Sequence, residues 1–252
     1  MRTTSNAQPL SRVALSGFVL ALIAGLALLL SGAGYRLGWW EFRPGFTLMR
    51  WAAYGGLAAA VLSLIGVLLT RPGSAKCGFP LAVLGLVGGL VVGGIPWQWG
   101  RTVQRVPMIH DITTDTETPP VFVAILPLRA GAPNTAEYGG PEIAAQQRAG
   151  YPDLGPLTLQ APTAQAFTRA LTVAREMGWE IVASEANEGR IEATATTFWF
   201  GFKDDVVILV TPSGNDSRID VRSVSRVGRS DVGANAKRIT DYLSRLARGE
   251  SS

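Results

Sequence analysis

The chain is poor in the side chains that most soluble chemistry relies on. Of its 252 residues, one is a cysteine, Cys77, and one is a histidine, His110. A disulfide framework, a thiolate metal site or a two-histidine centre therefore cannot form within one chain. There is no G-x-S-x-G motif, so the usual serine-hydrolase elbow is missing. Acid is also unevenly scarce: 18 of the 19 acidic residues lie beyond residue 100, and only Glu41 precedes it. The net charge of +4 invites a nucleic-acid reading, but the distribution argues against it. The first hundred residues hold seven Lys and Arg against one acid, whereas the remainder hold 16 against 18. The excess base flanks apolar runs, where it orients helices in a membrane. A nucleic-acid protein concentrates base on its soluble domain.

What is abundant before residue 100 is uncharged apolar sequence. Three spans are predicted, at about residues 13–33, 51–69 and 79–95, the last ending at Pro96. Each approaches the ~30 Å of a hydrocarbon core at ~1.5 Å per residue. The first has a basic start and small residues at Ser31, Gly32 and Ala33, like a signal peptide, but its length favours an uncleaved span. No span carries a charge in its middle, which argues for an anchor over an ion or proton path. Small residues recur every four positions: Gly17, Ala21 and Gly25; Gly55, Ala59 and Ser63; Gly85, Gly89 and Gly93. Such stripes let helix backbones approach closely in lipid. Two uses are open for Gly85, Gly89 and Gly93: packing within the chain, or a homodimer or envelope-partner contact through the third span. The basic leader with Arg2 and Arg12 favours an inside N-terminus, which puts the C-terminal domain in the periplasm of a bacterial inner-membrane protein.

Residues 101–160 contain eight prolines and read as an irregular segment that wraps the domain, with Val121 to Leu126 as an edge strand and a helical turn or two at Glu142 to Arg148. From 161 to 248 the pattern is regular, and 249–252 form a tail. Phe167, Ala170, Leu171, Ala174 and Met177 recur at helical spacing before Gly178. Four strands follow, at Trp179–Ala186, Arg190–Phe198, Asp205–Thr211 and Ser217–Val227, separated by turn residues such as Pro212-Ser213-Gly214-Asn215-Asp216. A last helix starts near Ser230 or Asp231 and places Val232, Ala236, Ile239, Leu243 and Leu246 on one face. The expected architecture is a three-helix transmembrane bundle followed by an α+β domain, an antiparallel four-stranded meander with two helices packed on one face. The face turned away from the helices carries Arg218, Asp220, Arg222 and Arg226, with Arg190, Glu192, Thr194 and Thr196 from the second strand.

Three clusters are candidate sites. Arg222, Arg226, Arg229, Ser230 and Asn235 surround a strand-to-helix junction, and guanidinium groups near helix amides suit a carboxylate, phosphate or lipid headgroup. The competing reading pairs these arginines with Asp204, Asp205, Asp220 or Glu192 across strands. His110, Asp111 and Asp115 match no strong metal signature, and a hydrogen-bonded turn is the simpler reading. Asp204 and Asp205 are adjacent on a strand, so they point to opposite faces and do not share a proton. No metal, cofactor or catalytic residue is implied. A non-enzymatic binding or assembly module, with the lipid bilayer and an envelope protein as partners, fits this inventory best. The alternative is an enzyme or ligand-binding domain for a small anionic or lipid-linked substrate at residues 222–238.

Several ordered motifs carry a family resemblance: Trp179 after Met177-Gly178, Gly189-Arg190-Ile191-Glu192, Phe202-Lys203-Asp204-Asp205-Val206, Asp220 through Gly228, and Asp231-Val232-Gly233-Ala234-Asn235. These resemble the family called domain of unknown function 1499. His110 through Asp115 and Tyr151-Pro152-Asp153 resemble its longer, membrane-anchored bacterial members. The resemblance covers roughly residues 107–247. It implies a bacterial envelope setting and supplies no catalytic residue, since the family has no established activity.

Overall fold

A computed structural model describes residues 8–249. Arg2 and residues 250–252 lie outside the described residues. The chain divides into two compact units: residues up to Arg101 with the short segment Trp199–Gly201, and Thr102–Phe198 with the residues from Phe202 onward.

The first unit is built on three helices, α1 (Arg12–Arg36), α2 (Phe42–Thr70) and α3 (Phe79–Val103), each long and apolar enough to cross a membrane. The Ser11 hydroxyl caps α1 by accepting from the Ala14 amide. The third helix does not end at Pro96, as expected, but runs through it to Val103. Proline removes one ladder hydrogen bond yet keeps a helical φ, and the following turns re-form the ladder. Helix contact is made by small residues. A Cβ at Gly89 would lie 2.6 Å from the Gly56 carbonyl oxygen and 2.7 Å from the Ala60 amide nitrogen of α2. One at Gly85 would meet the Ser63 side chain and lie 2.9 Å from the Phe18 backbone of α1, and one at Gly93 would lie 2.8 Å from Leu57. Gly85, Gly89 and Gly93 therefore face neighbouring helices of the same chain. Helices of this composition have little apolar drive to associate in lipid, where close approach of this kind would hold such a bundle.

The second unit is an α+β domain with an antiparallel sheet. Its elements are β1 (Asp111–Thr113), α4 (Gly140–Gly150), β2 (Leu157–Leu159), α5 (Thr163–Glu176), β3 (Glu180–Glu185), β4 (Arg190–Thr196), β5 (Lys203–Ser213), β6 (Asp216–Ser225) and α6 (Ala234–Arg248). The four long strands form the expected meander. Two short strands extend it: β1 pairs Asp111 with Val224 and β2 pairs Leu157 with Ile219, both along the outer edge of β6. Val121 to Leu126 is not the edge strand expected from its apolar run. Its amides bind a side chain instead of a ladder, and prolines bracket it at 119, 120 and 127.

One sheet face packs on α5 and α6. Phe167, Ala170 and Ala174 from α5 and Ile239, Tyr242 and Leu246 from α6 meet Ile191, Ala193, Val206, Ile208, Ile219 and Val221. Trp179 stacks on Tyr242 at 5.2 Å, and the Tyr242 hydroxyl donates to the Ala170 carbonyl at 2.9 Å, so the large buried ring has no unpaired polar atom. Gly178 ends the α5 segment at φ 74°, the left-handed conformation a tight helix exit needs. On the opposite face a smaller core of Phe122, Ile125, Val207 and Val224 lies under the proline-rich segment. The sheet is thus covered on both sides, which explains why six of the seven β4 residues are buried.

Candidate functional site

The arginine-bearing face of the sheet is the part of the domain where sequence reasoning placed a site. Strand alternation puts Arg218, Asp220 and Arg222 of β6 on the face away from α5 and α6, beside Arg190, Glu192 and Thr194 of β4. Between them, β5 contributes Asp205.

Each buried charge there has a partner. Arg222 is 3% exposed, and its guanidinium forks onto Asp111, with Nε 2.9 Å from Oδ1 and Nη2 2.8 Å from Oδ2. Its other protons go to the carbonyls of Pro120 at 3.2 Å and Ala136 at 2.8 Å. The same guanidinium lies over the rings of Phe122 at 5.2 Å and Tyr138 at 5.4 Å. Asp205 accepts from Arg129 at 2.5 Å, from the Thr194 hydroxyl at 2.9 Å, and from Arg226 at 2.8 and 2.9 Å. Glu192, with no exposed surface, accepts from the amides of Val123, Ala124 and Ile125 at 2.9–3.0 Å, and pairs with Arg190. Asp220 accepts from Arg218 at 2.6 Å and from the Thr114 hydroxyl at 3.0 Å.

The network therefore ties a loop to a sheet. Pro120, Phe122, the 123–125 amides, Arg129, Asn134 and Ala136 all belong to the segment between β1 and α4, and all reach sheet residues. Asn134 adds amide bonds to the carbonyls of Ser225 at 3.0 Å and Gly228 at 2.8 Å. Asp115 anchors the start of the loop. Bonds from the Thr118 amide and hydroxyl and the Glu117 amide, with the Arg218 charge, hold its carboxyl below the usual range against the opposing effect of burial.

The helix-covered face has a second network. Asp204 accepts from Arg238 at 2.5 Å, so Asp204 and Asp205 lie on opposite faces and never share a proton. Asn235 is fully buried: its amide donates to the His110 carbonyl at 2.9 Å and to Ser225 Oγ at 3.0 Å, and its oxygen accepts from Ser223 at 2.7 Å and from Arg238. Ser230 accepts from the Val232 amide at 3.2 Å. The Asp231 carboxylate accepts from the amides of Gly233 at 2.9 Å and Asn235 at 2.7 Å, and burial pushes its pKa up. These bonds start α6 at Ala234, later than Ser230 or Asp231, because Val232 and Gly233 sit at φ 55° and 82°, outside the helix.

Of the five residues proposed for anion binding, Arg222, Arg226 and Asn235 are thus held by internal partners, and Asp231 fills the anion position at the start of α6. Arg229 is exposed and stands apart from the two networks. His110, Asp111 and Asp115 do not converge, since Asp111 goes to Arg222 and Asp115 to its own loop. Among the described residues no group of three or more His, Cys, Asp or Glu could hold a metal. Among the described residues, the hydroxyls of Tyr138 and Tyr151 are buried with no hydrogen-bond partner. Burial, with Asp231 nearby, pushes Tyr151 up to about 12, so it stays protonated at neutral pH. An open groove of about 300 Å³ lies at the end of the sheet, lined by Met177, Trp179, Thr196, Lys237 and Arg238 among others. Both of its cations are already paired, Lys237 with Asp241 and Arg238 with Asp204.

Sequence reasoning missed Arg129 and the three-amide grip of Glu192. One signal was available: an arginine ending the apolar run from Val121 to Leu128 needs a buried carboxylate, and an acid flanked by apolar strand residues needs donors.

The geometry defines a class: an α+β domain, on a chain with three candidate membrane helices, whose interior charges are neutralised by its own residues. Residues 111–246 match the family described as Protein of unknown function (DUF1499), and the chain belongs to that family. No curated protein is matched. Among solved structures, TTHA0849 from Thermus thermophilus is similar to part of the chain, at 13% identity and a TM-score of 0.26, covering 39% of this chain and 97% of that one. A likeness at that level carries no argument about function.

Proposed function

We propose that the protein is a non-enzymatic binding module of a bacterial cell envelope, anchored by its three helices, with the α+β domain facing the periplasm and docking an envelope protein. The observation that carries this reading is the outer edge of the loop fixed by Glu192, Arg129 and Arg222. Phe122 and Ile125 point into the domain, whereas Val121, Val123, Leu126 and Leu128 are 69%, 54%, 46% and 55% exposed. Four exposed aliphatic side chains within eight residues, on a segment held by buried ion pairs, form a rigid apolar strip of the kind that marks interaction sites. Rigidity lowers the ordering cost of binding. Arg2 and Arg12, at the basic start of the first apolar run, support the periplasmic orientation. A ligand site at residues 222–238 is the weaker reading, because the guanidiniums of Arg222, Arg226 and Arg238 already hold carboxylates.

Two experiments test the proposal. A photo-crosslinking side chain at Val123 or Leu126 of the full chain, in native membranes, is expected to give discrete protein adducts that Leu128→Asp abolishes. Adducts no different from those at exposed Thr172 on α5 would defeat the docking reading. A topology reporter joined after Ser252 is expected to be active on the periplasmic side, and cytoplasmic activity would overturn the orientation.

A further inference from the structure

The hairpin joining β4 to β5 carries three consecutive aromatic residues, Phe198-Trp199-Phe200, at its tip. Its neck is closed by the Thr197 amide donating to the Phe202 carbonyl at 2.9 Å and the Phe202 amide donating to Thr197 Oγ1 at 2.8 Å. Trp199–Gly201 belong to the helical unit. Trp199 packs against a cluster of Ala24, Leu28, Ala52 and Val92, and sits edge-on to Trp99 at 5.6 Å. Phe200 is 3% exposed, with its ring 4.9 Å from Phe46 and 6.4 Å from Tyr35.

These partners share one location. Tyr35, Phe46 and Trp99 lie at the C-terminal part of α1, the N-terminal part of α2 and the C-terminal part of α3, which is one end of the helical unit, and the cluster of Ala24, Leu28, Ala52 and Val92 runs inward from it. The same end carries Trp39, Trp40, Trp51, Trp97 and Trp99, and such a concentration of tryptophan marks the lipid–water interface. The chain has no room to spare at this point. A Cβ at Gly32 would overlap the Trp199 ring, and one at Gly45 would lie 3.0 Å from Phe200. Phe198, the first of the three, is 92% exposed. It is bonded directly to Trp199, which packs among the helices.

We propose that this tip is a second membrane attachment. Trp199 and Phe200 close the end of the three spanning helices, and Phe198 inserts into the interfacial layer of the bilayer. This inference rests on the three helices spanning a bilayer, and it is independent of which partner the 121–128 strip docks.

The lone cysteine makes a direct test practical. In a Cys77→Ser background, the full chain carrying Phe198→Cys is labelled with an environment-sensitive fluorophore and reconstituted into phosphatidylcholine–phosphatidylglycerol vesicles. Asn215→Cys, in the turn at the other end of β5, is the reference. The label at 198 is expected to be quenched by shallow spin-labelled lipid, with iodide quenching reduced about threefold or more relative to 215, as for a group ~5–10 Å below the surface. Iodide quenching equal to that at 215 overturns the proposal. So does protection from iodide without lipid quenching, which would bury residue 198 in protein. The same readout on Gly32→Val, whose side chain displaces the Trp199 ring, is expected to return the 198 label toward iodide exposure; an unchanged response would show that the helices do not seat the tip.

Discussion

The two units solve the same problem, bringing backbones and side chains close, with opposite materials. In the helical unit the contacts are glycine, alanine and serine: Gly89 lies against Gly56 and Ala60, and Gly85 against Ser63. In the α+β unit, the contact between loop and sheet is made by acidic and basic side chains with almost no exposed surface, such as Glu192, Asp205 and Arg222. The difference follows from the surroundings. Lipid rewards close packing but gives no hydrophobic drive, so small residues are favoured and buried charge is costly. A loop rich in proline cannot satisfy its amides through a ladder, so side-chain acceptors and donors must do so.

Breaking the loop–sheet network should have the largest effect. Glu192→Ala leaves three buried amides without their acceptor and Arg190 with Glu188 alone, and is expected to destabilise the domain by about 3–5 kcal/mol. Denaturant unfolding of the full chain in detergent measures this. A loss below about 1 kcal/mol would mean that the loop is held by something else.

The Asp111–Arg222 pair sharpens the same point. Arg222→Leu alone leaves Asp111 buried and unpaired, at a cost of roughly 3 kcal/mol or more. Asp111→Asn combined with Arg222→Leu is expected to recover much of that loss, because two desolvated charges disappear together. A double variant as unstable as the sum of the single variants would contradict the idea that pairing, rather than charge itself, is what matters.

On the other side of the comparison, Gly89→Leu forces a side chain against the Gly56 carbonyl and should loosen the helical unit by about 1–3 kcal/mol, leaving the α+β unit intact. Protease sensitivity confined to the 37–42 and 71–78 connections would show it. Equal loosening of both units would erase the distinction between them.

The smallest effects lie at the loop's start and in the turn ahead of α6. Asp115 has a folded pKa below its unfolded one, so its contribution to stability is present above the unfolded value and lost as pH falls through the folded value. Asp115→Asn should flatten that acid limb of the pH–stability curve, with its cost seen at neutral pH and little difference from the native chain once pH falls below the folded value. Arg229→Ala, at an exposed position outside the networks, should shift stability by no more than ~0.5 kcal/mol.

Much of this architecture was legible in the sequence. Uncharged runs of about twenty residues marked the helices, and alternation at Arg190–Thr196 and Ser217–Ser225 marked both strands and their faces. Adjacent Asp204 and Asp205 were correctly separated, because strand geometry allows nothing else. What stayed hidden was long-range. Nothing local tells Arg222 to choose Asp111 across 111 positions, or Glu192 to collect amides from 123–125. The three-residue strands β1 and β2 are too short for periodicity to reveal. Val121 to Leu126 misled because an apolar run reads alike whether it joins a sheet or lies across one. Phe198 was read as the end of a strand, and the place of Trp199–Gly201 with the helices depends on packing alone.

The central claim is that the charged sheet face exists to fix the 121–129 loop. Hydrogen exchange at the amides of Val123, Ala124 and Ile125, in the full chain and in its Glu192→Ala variant, tests it most directly. Protection comparable to that of β5 in the native chain, lost by about a hundredfold or more in the variant at a pH where β5 stays protected, is the predicted result; on the order of 2.7 kcal/mol of local opening free energy corresponds to that factor. Fast exchange at these amides in the native chain, or equal protection in both proteins, would contradict it.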